Sequence, residues 1–169
     1  MEQTFRVINR MKEDGVIENY AVGGAVAAMF YIEAFATEDL DIFFALSDAG
    51  RALDLLAPIH DYLKRRGYQP EGATVDIEGW PVQFLPLYKP LIEEAVERAV
   101  ETEYGQTFVR VVSSEHLVAI MLDTGRPKDY ARIARFLELS VVDVERLARI
   151  LARHGLGQKW RENLPRFIS

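Results

Sequence analysis

The sequence predicts an α+β fold, close to the α/β class, in which a small mixed sheet is flanked by helices and followed by a C-terminal helical segment. Over residues 1–112 the hydrophobic spacing alternates between the period of helices and the two-residue period of strands. From residue 113 onward the pattern is helical. We therefore divide the chain into an α/β core, residues 1–112, and a helical segment, residues 113–169, packed on that core.

The first elements alternate between helix and strand. Apolar residues recur at helical spacing over residues 3–14, and Gly15 is suited to end that helix. The segment "NYAV" predicts a short strand that runs into Gly23-Gly24, and the alanine-rich "AVAAMFYIEAF" predicts a buried helix after it. "DLDIFFAL" then predicts a strand whose phenylalanines lie in the core.

A third helix is predicted after this strand, capped by Ser47 or Asp48 and ending at Gly67. Pro58 predicts a kink or a break within it, because proline cannot donate the helical hydrogen bond. Four apolar side chains are expected to face inward: Leu53, Leu56, Ile59 and Leu63.

Two strands follow, "ATVDI" and "PVQFL", and a two-residue turn at Glu78-Gly79 would join them into a hairpin. The alternation of strand side chains then puts five apolar residues on one face: Val75, Ile77, Trp80, Val82 and Phe84. The opposite face carries Thr74, Asp76 and Gln83.

The rest of the chain is predicted to be mostly helical. We expect a helix at 89–102, a short strand at "TFVRVV", and helices near 114–123, 127–138, 141–154 and 158–166. Ser140 followed by Asp143 resembles a capping box, which favours a helix start there.

Composition excludes several classes of function. The chain has 169 residues, of which 49% are hydrophobic, no cysteine and three scattered histidines, so disulfides, thiol nucleophiles and zinc–thiolate sites are excluded. No apolar run is long enough to cross a bilayer, and the N-terminus is too charged for a secretion signal. We therefore expect a cytoplasmic protein without membrane contact. We also expect that any metal ion bound by the protein has oxygen ligands.

Charge is distributed unevenly along the chain. Residues 1–104 carry 9 basic and 19 acidic side chains, a net charge of −10, whereas residues 105–169 carry 11 and 7, a net charge of +4. This asymmetry is compatible with an anionic ligand held between an acidic metal site and a basic surface. The ordinary alternative is that it reflects solvated helix faces rich in arginine.

Asp39 and Asp41 stand within an apolar run, and burial of a carboxylate requires a compensating partner. Because strand side chains alternate, both aspartates point to one face while Leu40 points to the other. Paired carboxylates suit Mg²⁺, which prefers oxygen ligands and substrate phosphates. Alternatively, the aspartates cap the next turn or pair with Arg126 or Lys128.

A glycine pair at a helix start, followed by Asp-Leu-Asp on the next strand, resembles the nucleotidyltransferase superfamily with the DNA polymerase beta-like fold. Gly23, Gly24, Thr37, Asp39 and Asp41 match its pattern. Residues 114–138 resemble the helical tail of small bacterial and archaeal nucleotidyltransferase-like proteins related to abortive-infection toxins. The resemblance covers roughly residues 18 to 138 and implies a nucleotidyltransferase fold.

The resemblance also implies an activity. Asp39 and Asp41 would bind Mg²⁺ or Mn²⁺, and Gly23-Gly24 would let phosphate oxygens approach backbone N–H groups. The reaction would transfer an NMP from a nucleoside triphosphate to an acceptor hydroxyl, on RNA or on a protein. Thr37, Gln83 and Lys128 would contact the substrate, with Asp129 orienting Lys128, although Pro-Lys-Asp after Gly125 is also ordinary at a helix start.

One departure affects the expected activity. The family's third carboxylate falls at Gln83, whose amide can ligate a metal but brings no charge and cannot act as a general base. Asp76, diagonal to Gln83 on the same hairpin face, is a candidate for the missing catalytic acid, or else a solvent-facing strand residue. Phe35 stands where family members often carry an arginine. The alternative function is therefore a catalytically degenerate nucleotide- or partner-binding module.

The penultimate predicted helix offers a further surface. Arg146, Arg149 and Arg153 lie on roughly one face of it, where an acceptor RNA could dock. His116 is expected to pack or cap within its own helix.

Overall fold

The computed structural model describes residues 1–33, 36–47 and 53–168. This part of the chain folds as an α+β protein with a seven-stranded mixed sheet and flanking helices, as predicted. The strands are β1 Asn19–Val22, β2 Leu40–Ala45, β3 Pro70–Glu71, β4 Thr74–Ile77, β5 Trp80–Pro86, β6 Val100–Tyr104 and β7 Thr107–Val111. The helices are α1 Glu2–Glu13, α2 Gly24–Ala28, α3 Ala57–Lys64, α4 Pro90–Glu97, α5 Ser114–Thr124, α6 Pro127–Glu138, α7 Val144–Arg153 and α8 Gly157–Phe167.

The sheet runs in the order β3-β4-β5-β2-β1-β7-β6. β2 lies between β1, to which it is antiparallel, and β5, to which it is parallel. In the β2–β5 register Asp41 stands opposite Gln83, and residues directly opposite in adjacent strands point to the same face. The strand register therefore places the side chains of Asp41 and Gln83 next to each other.

The core lies on the faces of the central strands. Leu40, Ile42 and Phe44 of β2 are buried, with at most 2% of their surface exposed, whereas Asp41 between them is only partly buried. α5 packs against four other helices: α2, α4, α6 and α7. Consequently the C-terminal helices are anchored beside the end of the sheet where the glycine pair lies.

Several predicted elements are confirmed. α1, β1, β2 and α6 match their expected bounds within one or two residues. The hairpin between β4 and β5 turns at Glu78 and Gly79, whose φ angles are 55° and 81°. Two positive φ angles in a two-residue loop are typical of the type I′ turn that matches the twist of paired strands.

The predicted helices on either side of β2 are too long. α2 ends at Ala28. Phe30 and Tyr31 follow in turns, where their N–H groups bond to Ala27 and Ala28. The Tyr31 hydroxyl donates to the backbone oxygen of Val112 at 2.9 Å, so tertiary contacts override the helical pattern.

The predicted helix after β2 also starts later than expected. α3 begins at Ala57 with Pro58 in its first turn, where the missing N–H costs nothing, so the proline starts the helix instead of kinking it. Leu53 is fully exposed and does not face inward. Asp48, one of the two expected caps, lies outside the described residues.

Two further expectations are corrected. The predicted helix at 89–102 stops at Glu97, and its last residues belong to β6, where Glu101 pairs with Arg110 of β7. The start of α7 is capped by Asp143 itself, whose side chain accepts a hydrogen bond from the Arg146 N–H. Ser140 instead adopts a φ of 55° in the preceding turn.

None of the helices in the described part of the chain has the length and apolar composition needed to cross a membrane.

Candidate active site

A polar cavity of about 490 Å³ opens at the end of the sheet where β1 leaves and β2 begins. Its lining combines acidic, basic, amide and small residues from four separate segments: Gly24, Ala25, Ala36, Thr37, Glu38, Asp39, Asp41, Gln83, Arg126, Lys128 and Arg132. We refer to Asp39 and Asp41 as the acidic pair, and to Arg126, Lys128 and Arg132 as the basic wall. Six of the predicted site residues thus come together here; Gly23 and Asp76 do not line the cavity.

The two glycines are required by their close neighbours. Gly24 has a φ of +58°, and a Cβ built on it would overlap the carboxylate of Asp41. A Cβ on Gly23 would overlap the ring of Phe43. Because α2 is only five residues long, the glycine pair serves here mainly to let the backbone approach β2 and its aspartate.

The acidic pair lies at the start of β2, with Asp39 immediately before the strand and Asp41 within it. Burial raises the pKa of Asp41 above its ordinary value of 3.8, and the neighbouring charge of Asp39 raises this pKa further. The positive charges of Arg126, Lys128 and Arg132 act in the opposite direction. The site therefore holds two negative charges that the protein compensates only in part.

Thr37 shapes the approach to the strand. Its hydroxyl donates to the backbone oxygen of Asp39 at 2.9 Å, which closes a short bend around Glu38. Hydroxyl bonds to a backbone two residues on are a common way to stabilise such bends. Thr37 thus lines the cavity and holds the segment that presents Asp39.

Gln83 occupies the position expected for a third carboxylate. It lies on β5 directly opposite Asp41 and lines the cavity. Accordingly, the described residues contain no group of three or more acidic or histidine side chains that could hold a metal ion. The acidic pair and the Gln83 amide supply oxygen donors that suit a hard cation, and Glu38 adds a further carboxylate to the lining.

Asp76 lies on the predicted hairpin face but is directed to the turn. Its carboxylate accepts a hydrogen bond from the Gly79 N–H at 3.0 Å, and the side chain is exposed. Because it lies outside the cavity lining, its geometry favours the solvent-facing alternative over a catalytic one. Phe35, the other expected departure, lies outside the described residues.

The basic wall comes from α6 and its N-cap. Lys128 and Arg132 are four residues apart and therefore share one helix face. Arg126 is held by Asp129, whose two carboxylate oxygens accept from Nε at 2.7 Å and from Nη2 at 3.1 Å. Asp129 is fully buried, and its observed partner is Arg126, not Lys128 as expected.

Sequence reasoning missed three of the lining residues as functional candidates: Glu38, Arg126 and Arg132. The four-residue spacing of Lys128 and Arg132 was the available indication for Arg132. Arg126 was considered only as an alternative partner of the acidic pair, and Glu38 carries no local pattern that separates it from a surface residue.

The arginines expected to dock RNA are engaged with carboxylates. Arg146 lies 3.6 Å from Glu115, Arg149 4.0 Å from Glu145, and Arg153 pairs with Glu94. Much of the positive charge of α7 is therefore compensated within the protein, which weakens this face as an RNA-binding surface.

Glu94 of α4 accepts from side chains of α5 and of the C-terminal end of α7. Besides Arg153, its oxygens lie 2.7 Å from His154 Nε2 and 3.2 Å from His116 Nε2. Hydrogen bonding to Arg153, then to the two histidines, lowers the pKa of Glu94 to about 2. We call these four residues the Glu94 cluster; as expected, the buried His116 has a packing and capping role.

A larger cavity, of about 660 Å³, lies near the other end of β2. Its lining is mostly apolar, and its charged residues are Asp54, Asp61 and Arg65. It lacks the juxtaposed acidic pair and basic wall, so its size alone does not make it the better candidate.

No family model matches the chain, and no curated protein matches it in sequence. Among solved structures, the chain is similar to an antigenic nucleotidyltransferase-like protein from Paracoccidioides brasiliensis, with a TM-score of 0.58 and 13% identity over 98% of this chain and 92% of that one. It is also similar to ANT(2'')-Ia, solved in complex with adenylyl-2''-tobramycin, with a TM-score of 0.51 and 14% identity over 90% of this chain and 97% of that one. The solution structure of ANT(2'')-Ia, described as an antibiotic-resistance factor, gives the same TM-score over 95% and 94% of the two chains. At these identities the likeness concerns the fold, and the chain therefore has the fold of the nucleotidyltransferases.

Proposed function

We propose that the protein is a nucleotidyltransferase that moves an NMP from a nucleoside triphosphate to an acceptor hydroxyl. The observation that carries this proposal is the meeting of the acidic pair, Gln83 and the basic wall in one cavity beside Gly24. Such a site can bind a divalent cation on one side and phosphate oxygens on the other. The shared fold supports the same reaction class.

A divalent cation fits the residues that are present. Two carboxylates and an amide oxygen form an all-oxygen donor set, which is the kind that Mg²⁺ or Mn²⁺ takes together with substrate phosphates. Burial, and then the charge of Asp39, raises the pKa of Asp41, and a bound cation would favour the ionised carboxylate. When bound, the metal would neutralise phosphate charge and align the reacting groups.

The chain's own residues would have distinct roles in this reaction. Asp39 and Asp41 would hold the cation, and Gln83 would supply a neutral oxygen ligand. Arg126, Lys128 and Arg132 would bind the triphosphate and stabilise the charge that develops on the departing pyrophosphate. Thr37 would keep Asp39 in place through its bond to the Asp39 backbone.

The acceptor is not fixed by these groups. We retain RNA and protein hydroxyls as acceptor classes, and because ANT(2'')-Ia was solved with adenylyl-2''-tobramycin we add small hydroxylated molecules such as tobramycin. Glu38 and Lys128 line the cavity and are exposed, so they are accessible to an acceptor. No further described feature favours one class.

Gln83 favours a second candidate function, a nucleotide- or partner-binding module that no longer catalyses transfer. An amide in register with Asp41 cannot accept the acceptor's proton and leaves the cation one negative ligand short. Under this alternative the protein binds nucleotide and metal in the same cavity without turnover.

One experiment distinguishes the two candidate functions. The purified protein is incubated with each labelled nucleoside triphosphate, Mg²⁺ or Mn²⁺, and total RNA, protein or tobramycin, and both label transfer and nucleotide binding are measured. Transfer that disappears in Asp39→Asn supports the enzyme. Saturable binding without transfer, together with transfer gained in Gln83→Asp, supports the binding module. Absence of both binding and transfer contradicts the proposed function.

A further inference from the structure

We propose that Asp129 is a positioning residue that keeps Arg126 available for the terminal phosphates of a nucleoside triphosphate and away from the acidic pair. This inference rests on the proposed function, because it assigns a role within the same cavity. It deepens that function by naming the group that recognises the triphosphate and the residue that keeps this group in place.

The pairing of Arg126 with Asp129 leaves part of the guanidinium available. Arginine has five N–H donors, and Asp129 takes one from Nε and one from Nη2. No hydrogen bond from Nη1 is found among the described residues, and the side chain is 55% exposed while it lines the cavity. A bidentate carboxylate on one edge of the fork therefore orients the remaining donors toward a second anion.

The backbone around Arg126 is also held in place. Gly125 ends α5 with a φ of +69°, and a Cβ there would come within 3.0 Å of the Tyr130 hydroxyl and 3.2 Å of Lys159 Nζ. Lys159 of α8 donates to the backbone oxygen of Asp123 at 2.8 Å. The Arg126 N–H itself donates to Asp129 at 3.2 Å, so one buried carboxylate fixes both the backbone and the side chain.

Two carboxylates compete for Arg126. Asp41 lies close enough for its charge to act on Arg126, and the basic wall acts in return on Asp41. If the guanidinium turned onto the acidic pair, it would neutralise the charge that the cation needs. Asp129 prevents this because it is nearer, fully buried and bidentate. The ion pair with Asp129 thus keeps the Arg126 guanidinium away from Asp41, the carboxylate that would bind the divalent cation in the same cavity.

The chain provides a matched control on the same helix. Arg135 and Glu138 have the same three-residue spacing, with Nη1 and Oε2 2.7 Å apart, and neither lines the cavity. Loss of the Glu138 charge should reproduce any general effect of removing an ion pair from α6. Because Glu138 is 68% exposed and Asp129 is buried, an effect confined to Asp129 excludes the loss of an exposed ion pair as its cause, and a double variant then separates positioning from burial.

The test measures two ligands on the full chain without relying on turnover: inorganic pyrophosphate by calorimetry in the presence of Mg²⁺, and Mn²⁺ by electron paramagnetic resonance. We expect Asp129→Asn to weaken pyrophosphate binding about tenfold or more, the loss expected when charge-assisted hydrogen bonds are no longer held in place. Mn²⁺ binding should weaken several-fold, because Arg126 becomes free to pair with Asp41. Glu138→Gln should change neither.

Removing the arginine as well separates positioning from folding. Arg126→Ala combined with Asp129→Asn takes away both partners, so no charge is left buried alone and the protein should fold. This double variant should bind Mn²⁺ at least as tightly as the unmodified protein, while pyrophosphate binding stays about tenfold weaker. Recovery of one affinity without the other is not expected from a purely structural role.

Three results would overturn the inference: no measurable pyrophosphate binding by the unmodified protein, unchanged pyrophosphate affinity in the double variant, or Mn²⁺ affinity that falls equally in Asp129→Asn and in the double variant. Failure of the proposed function is recognised separately. If only the transfer activity is absent, the predicted pyrophosphate and Mn²⁺ pattern stays intact while the unmodified protein transfers no nucleotide label, which is the result expected of the binding module.

Discussion

Asp41 and Glu94 are both partly buried acidic side chains with basic residues near them, but their surroundings shift the pKa of the two carboxylates in opposite directions. Arg153 and the two histidines donate directly to Glu94 and lower its pKa to about 2. Asp41 instead has a raised pKa, because burial and Asp39 outweigh the basic wall. Glu94 has its partners within the protein, whereas for Asp41 we propose that the partner is a bound cation.

The difference indicates that Glu94 contributes to the stability of the fold, whereas we propose that Asp41 serves ligand binding. A carboxylate with three internal donors joins α4, α5 and α7 and contributes to folding. A carboxylate kept short of partners costs folding energy and persists at sites that bind ligands. Substitutions at the two positions should therefore have opposite effects on stability and activity.

The largest expected effect is on transfer when the acidic pair is changed. Asp41→Asn should reduce NMP transfer by at least about a thousandfold, because the cation loses a charged ligand worth several kcal/mol in the transition state. The free energy of unfolding should stay equal or rise, since repulsion with Asp39 is relieved. Label transfer and chemical denaturation measure the two quantities. Asp76→Asn serves as the matched control and should retain activity, because Asp76 lies at the hairpin turn.

The second effect is the loss of stability in the Glu94 cluster. Glu94→Gln should lower the free energy of unfolding by about 2–3 kcal/mol, because Arg153 loses its partner in a partly buried place. The neighbouring Glu93→Gln, an exposed change on the same helix, should cost a few tenths of a kcal/mol at most. Mn²⁺ binding by the Glu94 variant should be unchanged. A stable Glu94→Gln protein would contradict the contrast drawn between the two sites.

The pH dependence of stability should distinguish the two carboxylates by sign. The unfolded chain protonates Glu94 near 4.5 and the folded chain near 2, so its stabilisation is complete above pH 4.5 and disappears as the pH falls toward 2. For Asp41 the folded-state pKa lies above 3.8, so its charge costs stability at neutral pH and the cost fades as the pH falls. Denaturation at several pH values of the unmodified protein, Glu94→Gln and Asp41→Asn measures both differences. As the pH falls, the free energy of unfolding of both variants should approach that of the unmodified protein. At neutral pH Glu94→Gln should be less stable than the unmodified protein, and Asp41→Asn equally or more stable.

The smallest expected effect concerns the glycine beside Asp41. Gly24→Ala and Gly15→Ala each place alanine at a positive φ, which costs about 1 kcal/mol. Gly15 has open space around it, whereas a Cβ on Gly24 overlaps the Asp41 carboxylate. Only the Gly24 variant should therefore also weaken Mn²⁺ binding, as measured by electron paramagnetic resonance. Equal metal affinity in both variants would show that Asp41 can move without loss.

Local patterns predicted a large part of the fold. The two-residue period of a strand put Asp39 and Asp41 on one side of Leu40, and the Glu78-Gly79 turn set the register of the hairpin between β4 and β5. These predictions succeeded because strand alternation and turn geometry depend on neighbouring residues only. The ends of α2 and α4 were wrong because long-range contacts, such as the bond from Tyr31 to Val112, decide where a weak helical pattern stops.

The sequence by itself determined the mixed α+β fold, the glycine elbow at Gly23-Gly24 and the common direction of the two aspartates. Only the tertiary structure decided that Arg126, Lys128 and Arg132, which follow 85 to 93 positions further along the chain, line one cavity with these aspartates. It alone also showed that Asp129 holds Arg126 and that Glu94 collects donors from two other helices. The physical reason is that backbone periodicity is a local property, whereas the charge balance of a cavity depends on which distant elements the core packs together.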